Sequence, residues 1–281
     1  MSGDTERWHR YHANAHILAG HLQLPLQQPI QPQEMATLPE DGGYLSQHSV
    51  RYNVEGVISF RKAYTQVAGH RDVKPGHGWT TVATSVIERL NILEVVTADR
   101  VVAQVSTEHP LEGYVPIVTF LGTRFDNLRI AGHPVRLELN PFLLGDKPAN
   151  DGSYGADPGF QQRVAAQYQK IKSQTGIPGE ISERYNRLPS SLGPEEPIEC
   201  SLVTHVEGSF PGRCFGHVID IPHFGKLYLA TLRLEHEDHL PGTKTPKRTL
   251  LNLTMVEANM GCLAHGKVAA GNTVVNGTTH P

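Results

Sequence analysis

Apolar and polar residues alternate with a period of two over most of this chain, the spacing of strands buried on one face. The stretch HANAHILAGHLQLPL alternates loosely around Leu18, Leu22 and Leu24 and predicts a first strand that ends at Pro25. The following QQPIQPQEMATLPEDGGY is rich in Pro and Gln and predicts a surface connection without regular structure. From Val50 to Leu139 strand follows strand. VRYNVEGVISF leads to a turn expected at Arg61 and then to KAYTQVAG, and Lys74-Pro75-Gly76 supplies another turn. WTTVATSVIERLNIL and EVVTADRVVAQVS are rich in Val, Ile and Thr, which fit a pleated surface. In the second of these, Val101, Ala103 and Val105 share one face and Arg100, Val102 and Gln104 the other. PVRLEL closes the run with Val135, Leu137 and Leu139 on one side.

Between residues 140 and 199 the period changes. Phe160, Val164, Tyr168 and Ile171 recur at helical spacing and predict one helix near Asp157–Thr175. Asp157 can cap it, Pro158 suits its first position, Gly176 can end it, and Lys170 and Lys172 sit near the negative end of its dipole. IPGEISERYNRLPSSLGPEEP is expected to be loop. Strands resume with CSLVTHVEG and continue through GKLYLATLRLEHE and PKRTLLNLTMVEA to the end. The fold class is therefore all-β: a β-sandwich, or a barrel-like form of one, of about a dozen strands with one helical insertion. Residues 1–45 form an arm with the first strand and a linker, 46–139 a β segment, and 140–199 the insertion. Residues 200–281 form a second β segment that completes the same domain. No strand–helix alternation occurs, which excludes a doubly wound α/β fold.

Composition supports many turns: Gly 27 and Pro 20 make up about 17% of the 281 residues, above the roughly 12% of average usage. A net charge of −3 leaves no electrostatic footprint for nucleic acid or anionic lipid. No apolar run is long enough to span a membrane. MSGDTERWHRYHANAH does not read as a secretory leader, so the expected location is cytoplasmic, with an exported role open if the chain is a trimmed piece. Three cysteines are too few for a disulfide framework, and Cys200 and Cys214 are expected to be free thiols rather than a short-loop pair.

Sixteen histidines are the one compositional hint of chemistry. Glu235-His236-Glu237-Asp238-His239 is expected at a hairpin tip. His236 and Asp238 could share a metal there, and His239 could join only across a turn, so a solvated charged tip outweighs a metal site. His217 and His223 flank a short strand ended by Pro222, with Asp220 facing away from both. Ala-Gly-His recurs at Ala19-Gly20-His21, Ala68-Gly69-His70 and Ala131-Gly132-His133. It reads as a strand-end device, against the sharper alternative that its histidines gather. The chain carries no nucleophile elbow, phosphate loop, HExxH or dinucleotide fingerprint, so no catalytic residue and no cofactor are assigned.

Four stretches, RYNVEGVISFRKAYTQVAGH, ATSVIERLNILEVVTADRVVAQV, TFLGTRFDNLRIAGHPVRLEL and GHVIDIPHFGKLYLATLRLE, together resemble a family of uncharacterised bacterial proteins near the choice-of-anchor P group. The resemblance covers about half of the chain and implies a β-rich domain with an insertion. It brings no activity or substrate.

The leading expectation for function is a non-catalytic β-sandwich that binds a partner or self-associates, because strand edges must be covered or paired. Trp8, Tyr11, Ile17 and Leu18 of the arm are the expected partner-binding residues. The alternatives are an enzyme with a His-based or metal-dependent site in the sandwich-end loops, and a carbohydrate-binding module, for which aromatics are scarce.

Overall fold

A computed structural model describes residues 7–24, 27–71, 73, 78–187, 196–242, 245–261, 265–275 and 277–280; the side chains of Asp238, His265 and His280 lie outside that description. The expected turn at Lys74-Pro75-Gly76 and the third cysteine, Cys262, fall outside it as well.

The principal strands are β1 Ala13–Leu24, β2 Gly43–Val54, β3 Ile58–Arg71, β4 Trp79–Ile92, β5 Val96–His109, β6 Gly225–His239, β7 Pro246–Gly261 and β8 His265–Val275. They form an all-β sandwich of two open antiparallel sheets. The first runs Arg213–Phe215, Val218–Ile221, β6, β7, β8, β1 and Gln28–Ile30; the second runs His133–Pro134, Arg129–Ile130, β5, β4, β3 and β2. β1 and β8 pack across β3, β4 and β5. One buried apolar cluster joins the sheets and extends to the insertion.

The helix forms where its periodicity places it. α1 spans Pro158–Lys172, capped by the Asp157 carboxylate accepting from the Phe160 N–H at 2.7 Å. Phe160, Val164, Tyr168 and Ile171 are its buried stripe. A second helix, α2 Gly179–Arg184, occupies part of the expected loop. Too short to show a repeat, it still buries Ile181 and carries Glu180 in its first turn and Arg184 in its last.

Two expectations about turns are corrected. The Pro/Gln-rich connection is not irregular throughout: Gln28–Ile30 and Ala36–Thr37 both pair with β1, and Ile30, Ala36 and Leu38 are buried. Nor does the chain turn at Arg61. The turn lies at Glu55-Gly56, where both residues take left-handed backbone angles, and β3 runs straight through Arg61. What breaks the alternation there is a kink line. The ladder skips the Arg51–Arg61 and Arg89–Asp99 positions without changing register, and Arg51 and Arg89 adopt φ of 59° and 58°. Core residues therefore step by three across the line: Phe60 to Ala63, Ile87 to Leu90, Ala98 to Val101. The first sheet repeats the device. Its ladder skips Ala230, Met255, Gly271 and Ile17, with Ala230 and Gly271 left-handed.

Candidate functional site

The charged pentapeptide is strand rather than loop tip. β6 continues through it, pairing His236 with Thr249, Glu237 with Arg248 and His239 with Pro246. His236 is only 4% exposed because it faces the insertion. Its Nε2 accepts the Gly155 N–H at 3.2 Å, so Nδ1 carries the proton and donates to Thr249 Oγ1 at 3.3 Å. Burial, with His239 adding a smaller share, pushes its pKa down to about 4. Both ring nitrogens of this metal candidate are thus engaged within the chain. His239 is half-buried further along β6, and the Asp238 side chain lies outside the described residues. Among the described residues, no three His, Cys, Asp or Glu side chains are grouped to hold a metal ion. Cys200 and Cys214 are free thiols, the first fully buried and the second half-buried.

The histidines of the tripeptide repeat do not gather. His70 lies opposite Thr80 and so at the Glu108 end of β5, whereas Ile130, the partner of His133, pairs with Val96 at the other end. Each glycine has its own reason. A Cβ on Gly69 would lie 2.5 Å from the Tyr11 ring, one on Gly20 would lie 2.3 Å from the Lys267 carbonyl oxygen, and Gly132 makes a turn at φ 81°.

The most heavily charged buried cluster was not legible in the sequence. Arg184 grips Glu257 with two bonds of 2.7 and 3.0 Å, reaches Glu199 at 2.5 Å and stacks over the Tyr228 ring at 4.0 Å. Lys267 adds a second ion pair to Glu257 at 2.9 Å. Tyr185 Oη lies 3.0 Å from Glu199 and 2.7 Å from His217 Nε2. A carboxylate only accepts, so the tyrosine donates to Glu199 and His217 donates to the tyrosine. His217 borders a cleft of about 260 Å³ beside α1. Burial, helped by Arg184, holds its pKa near 3. Such an imidazole stays neutral and is too weakly basic to move protons near neutral pH. The cluster clamps α2 onto the outer face of the first sheet. His223, at the other end of the short strand, is exposed.

The four arm residues are placed differently from the expectation. Ile17 and Leu18 are fully buried in the chain's own core, and Tyr11 is 5% exposed. The kink at Ile17 turns two consecutive side chains inward. Trp8, on the short strand Trp8–Arg10 paired with Thr278–His280, stays 47% exposed. The arm is an integral part of the first sheet, flanked by β8 and the Gln28–Ile30 strand, and three of its four residues are already spent on intramolecular packing.

The unspent surface is β2. Every other sheet edge among the described residues breaks up into strands of two to five residues, a common protection against edge-to-edge pairing. β2 has 12 residues and, among the described residues, pairs on one side only, with β3. Val54 is its only buried residue, and Tyr44 and Val50 are 61% and 60% exposed. It carries no Pro or Lys. The signal was present in the sequence: neither face of YLSQHSVRYN is consistently apolar, so this strand adds little to the core, with only Leu45 and Tyr52 partly buried against it.

Fold and surface together define an open-edged β-sandwich with a helical clamp. The chain belongs to the family described as a domain of unknown function (DUF8256), whose model matches residues 9–235. No curated protein and no solved structure matches it.

Proposed function

We propose that this protein is a non-catalytic β-sandwich that acts by association, and that β2 pairs antiparallel with β2 of a second copy. The observation that carries this is the long, one-sided, two-face-exposed edge. A two-fold axis perpendicular to the sheet through Gln47 keeps like faces together. It sets Tyr44 opposite Val50 twice and Ser46 opposite His48 twice. Aromatic against β-branched is a favourable cross-strand pair, worth about 0.2–1 kcal/mol each. The ladder from Gly43 to Val50 is regular, so in this register seven residues per copy, Tyr44 to Val50, can pair before the kink at Arg51. A net charge of −3 offers little repulsion between copies.

Light scattering on the full chain tests this. The expected result is a dimer at micromolar concentration that Tyr44→Lys/His48→Lys makes monomeric while the chain keeps its strand-type circular dichroism, since both side chains are exposed. A monomeric full chain, or a dimer that the double variant leaves intact, overturns the proposal.

A further inference from the structure

The kink line of the second sheet gathers arginines. Arg51, Arg61, Arg89 and Arg129 line one groove of about 580 Å³ on that sheet, a size suited to a small ligand. Arg51 and Arg61 also border the adjoining hollow, where Lys62 and its cross-strand partner Glu88 lie. Asp99 is the sole carboxylate in the groove. It is committed to Arg89 at 2.6 Å and to the Asn127 amide at 2.7 Å. Arg129 reaches the Gly132 carbonyl at 3.2 Å. Arg51 and Arg61 have no carboxylate partner among the described residues. The amide oxygens of Asn53 and Asn91 are spent on backbone N–H groups of their own turns, at 3.0 and 2.7 Å, so these side chains offer the groove donors only. The charged donors facing the groove are guanidinium groups, with neutral amide and hydroxyl donors of Asn53, Asn91, Ser59 and Thr97 beside them, in a chain whose overall charge is negative.

Holding like charges together has a cost, and so has the left-handed backbone at Arg51 and Arg89. Serine or glutamine would satisfy an exposed sheet face without the first of these costs. We infer that the groove is a binding site for a small molecule carrying two or more phosphate groups. Guanidinium forks match phosphate oxygens two at a time. Three guanidiniums without a carboxylate call for about three negative charges in a short span. An oligophosphate supplies that density, and a single carboxylate does not.

Isothermal titration of the full chain with inorganic pyrophosphate at low ionic strength tests the inference, with citrate as the polycarboxylate arm. One saturable site per chain is expected, tighter for pyrophosphate than for citrate. Arg61→Ser and Arg129→Ser should each weaken it about tenfold or more, the loss of one charge-assisted contact. Arg136→Ser, on an exposed residue of the separate two-stranded ladder that Arg136–Leu139 forms with Val203–Glu207, should leave it unchanged. No heat of binding, equal binding of citrate, or binding indifferent to the Arg61 and Arg129 variants overturns the inference. The same titration on Tyr44→Lys/His48→Lys separates it from the edge-pairing proposal, because the groove should bind whether or not the copies associate.

Discussion

Acidification should destabilise this protein well before its carboxylates titrate. His217 and His236 are buried as neutral imidazoles, with pKa values held near 3 and 4 by loss of solvation. His109, 2% exposed and beside His9 at a ring separation of 4.4 Å, is also pushed well below its ordinary value. In the unfolded chain all three titrate near 6.5. Their folded values are lowered, so the unfolded state takes up protons first as the pH falls. The stability they contribute is complete above about pH 6.5 and drains away between there and pH 3–4. Each histidine gives a slope of about 1.4 kcal/mol per pH unit. By about pH 5, His217 and His236 together should have removed about 4 kcal/mol, with His109 adding to the loss. Glu257 is lowered by its bonds to Arg184 and Lys267, so it acts in the same direction but in a more acidic window. A domain of this kind has roughly 5–15 kcal/mol to lose.

Urea unfolding between about pH 7.5 and 5 measures this slope directly. His236→Gln assigns it, because the glutamine carbonyl can still accept the Gly155 N–H. The variant should show a slope shallower by about 1.4 kcal/mol per unit. A midpoint that does not move between pH 7 and 5 would refute the reasoning. So would a His236→Gln slope equal to that of the parent, which would mean that this histidine is already protonated or solvated in the fold.

Three further substitutions probe how the parts are held. Gly20→Ala drives a Cβ to 2.3 Å from the Lys267 carbonyl oxygen and 3.0 Å from the Val268 Cα, both backbone atoms of the paired strand. The β1–β8 ladder must shift, and a loss of about 1–3 kcal/mol is expected in denaturant titration. Arg184→Met leaves Glu257, 8% exposed at its side chain, facing Lys267 alone and leaves Glu199 with its tyrosine; about 3–5 kcal/mol should be lost, with hydrogen exchange rising first in α2. Asp157→Ala removes the α1 cap and should cost about 1 kcal/mol, read as a lower melting temperature.

The elements that were legible are those where one physical signal dominates. α1 announces itself because a cap, a first-position proline and a four-residue stripe all agree. The strands from Trp79 to His109 do so because Val, Ile and Thr crowd them. The Arg184 cluster was not legible, since its members come from six separate segments and only the tertiary fold brings Glu199, Glu257 and His217 together. The charged run at the end of β6 misled because its composition is that of a loop tip. The insertion, packing against His236 through Gly155, turns that position into interior.

The kink line explains the most informative error. A loss of alternation at Arg61 has two physical causes, a turn or a local left-handed step, and a single strand cannot tell them apart. Neighbouring strands can. The same three-residue step between apolar positions appears at Phe60–Ala63, Ile87–Leu90 and Ala98–Val101, and a turn would not recur in register across three strands. Each step also places a charged residue at the skipped position: Arg61, Arg89, Asp99. A kinked strand must put something at the point where its inside and outside exchange, and a long side chain that can leave the surface is the easiest to accommodate there. That much needs only solubility. Solubility alone does not require that the residues at and beside the line be arginines with one shared aspartate between them, and this excess of positive charge links the break in the strand pattern to the groove.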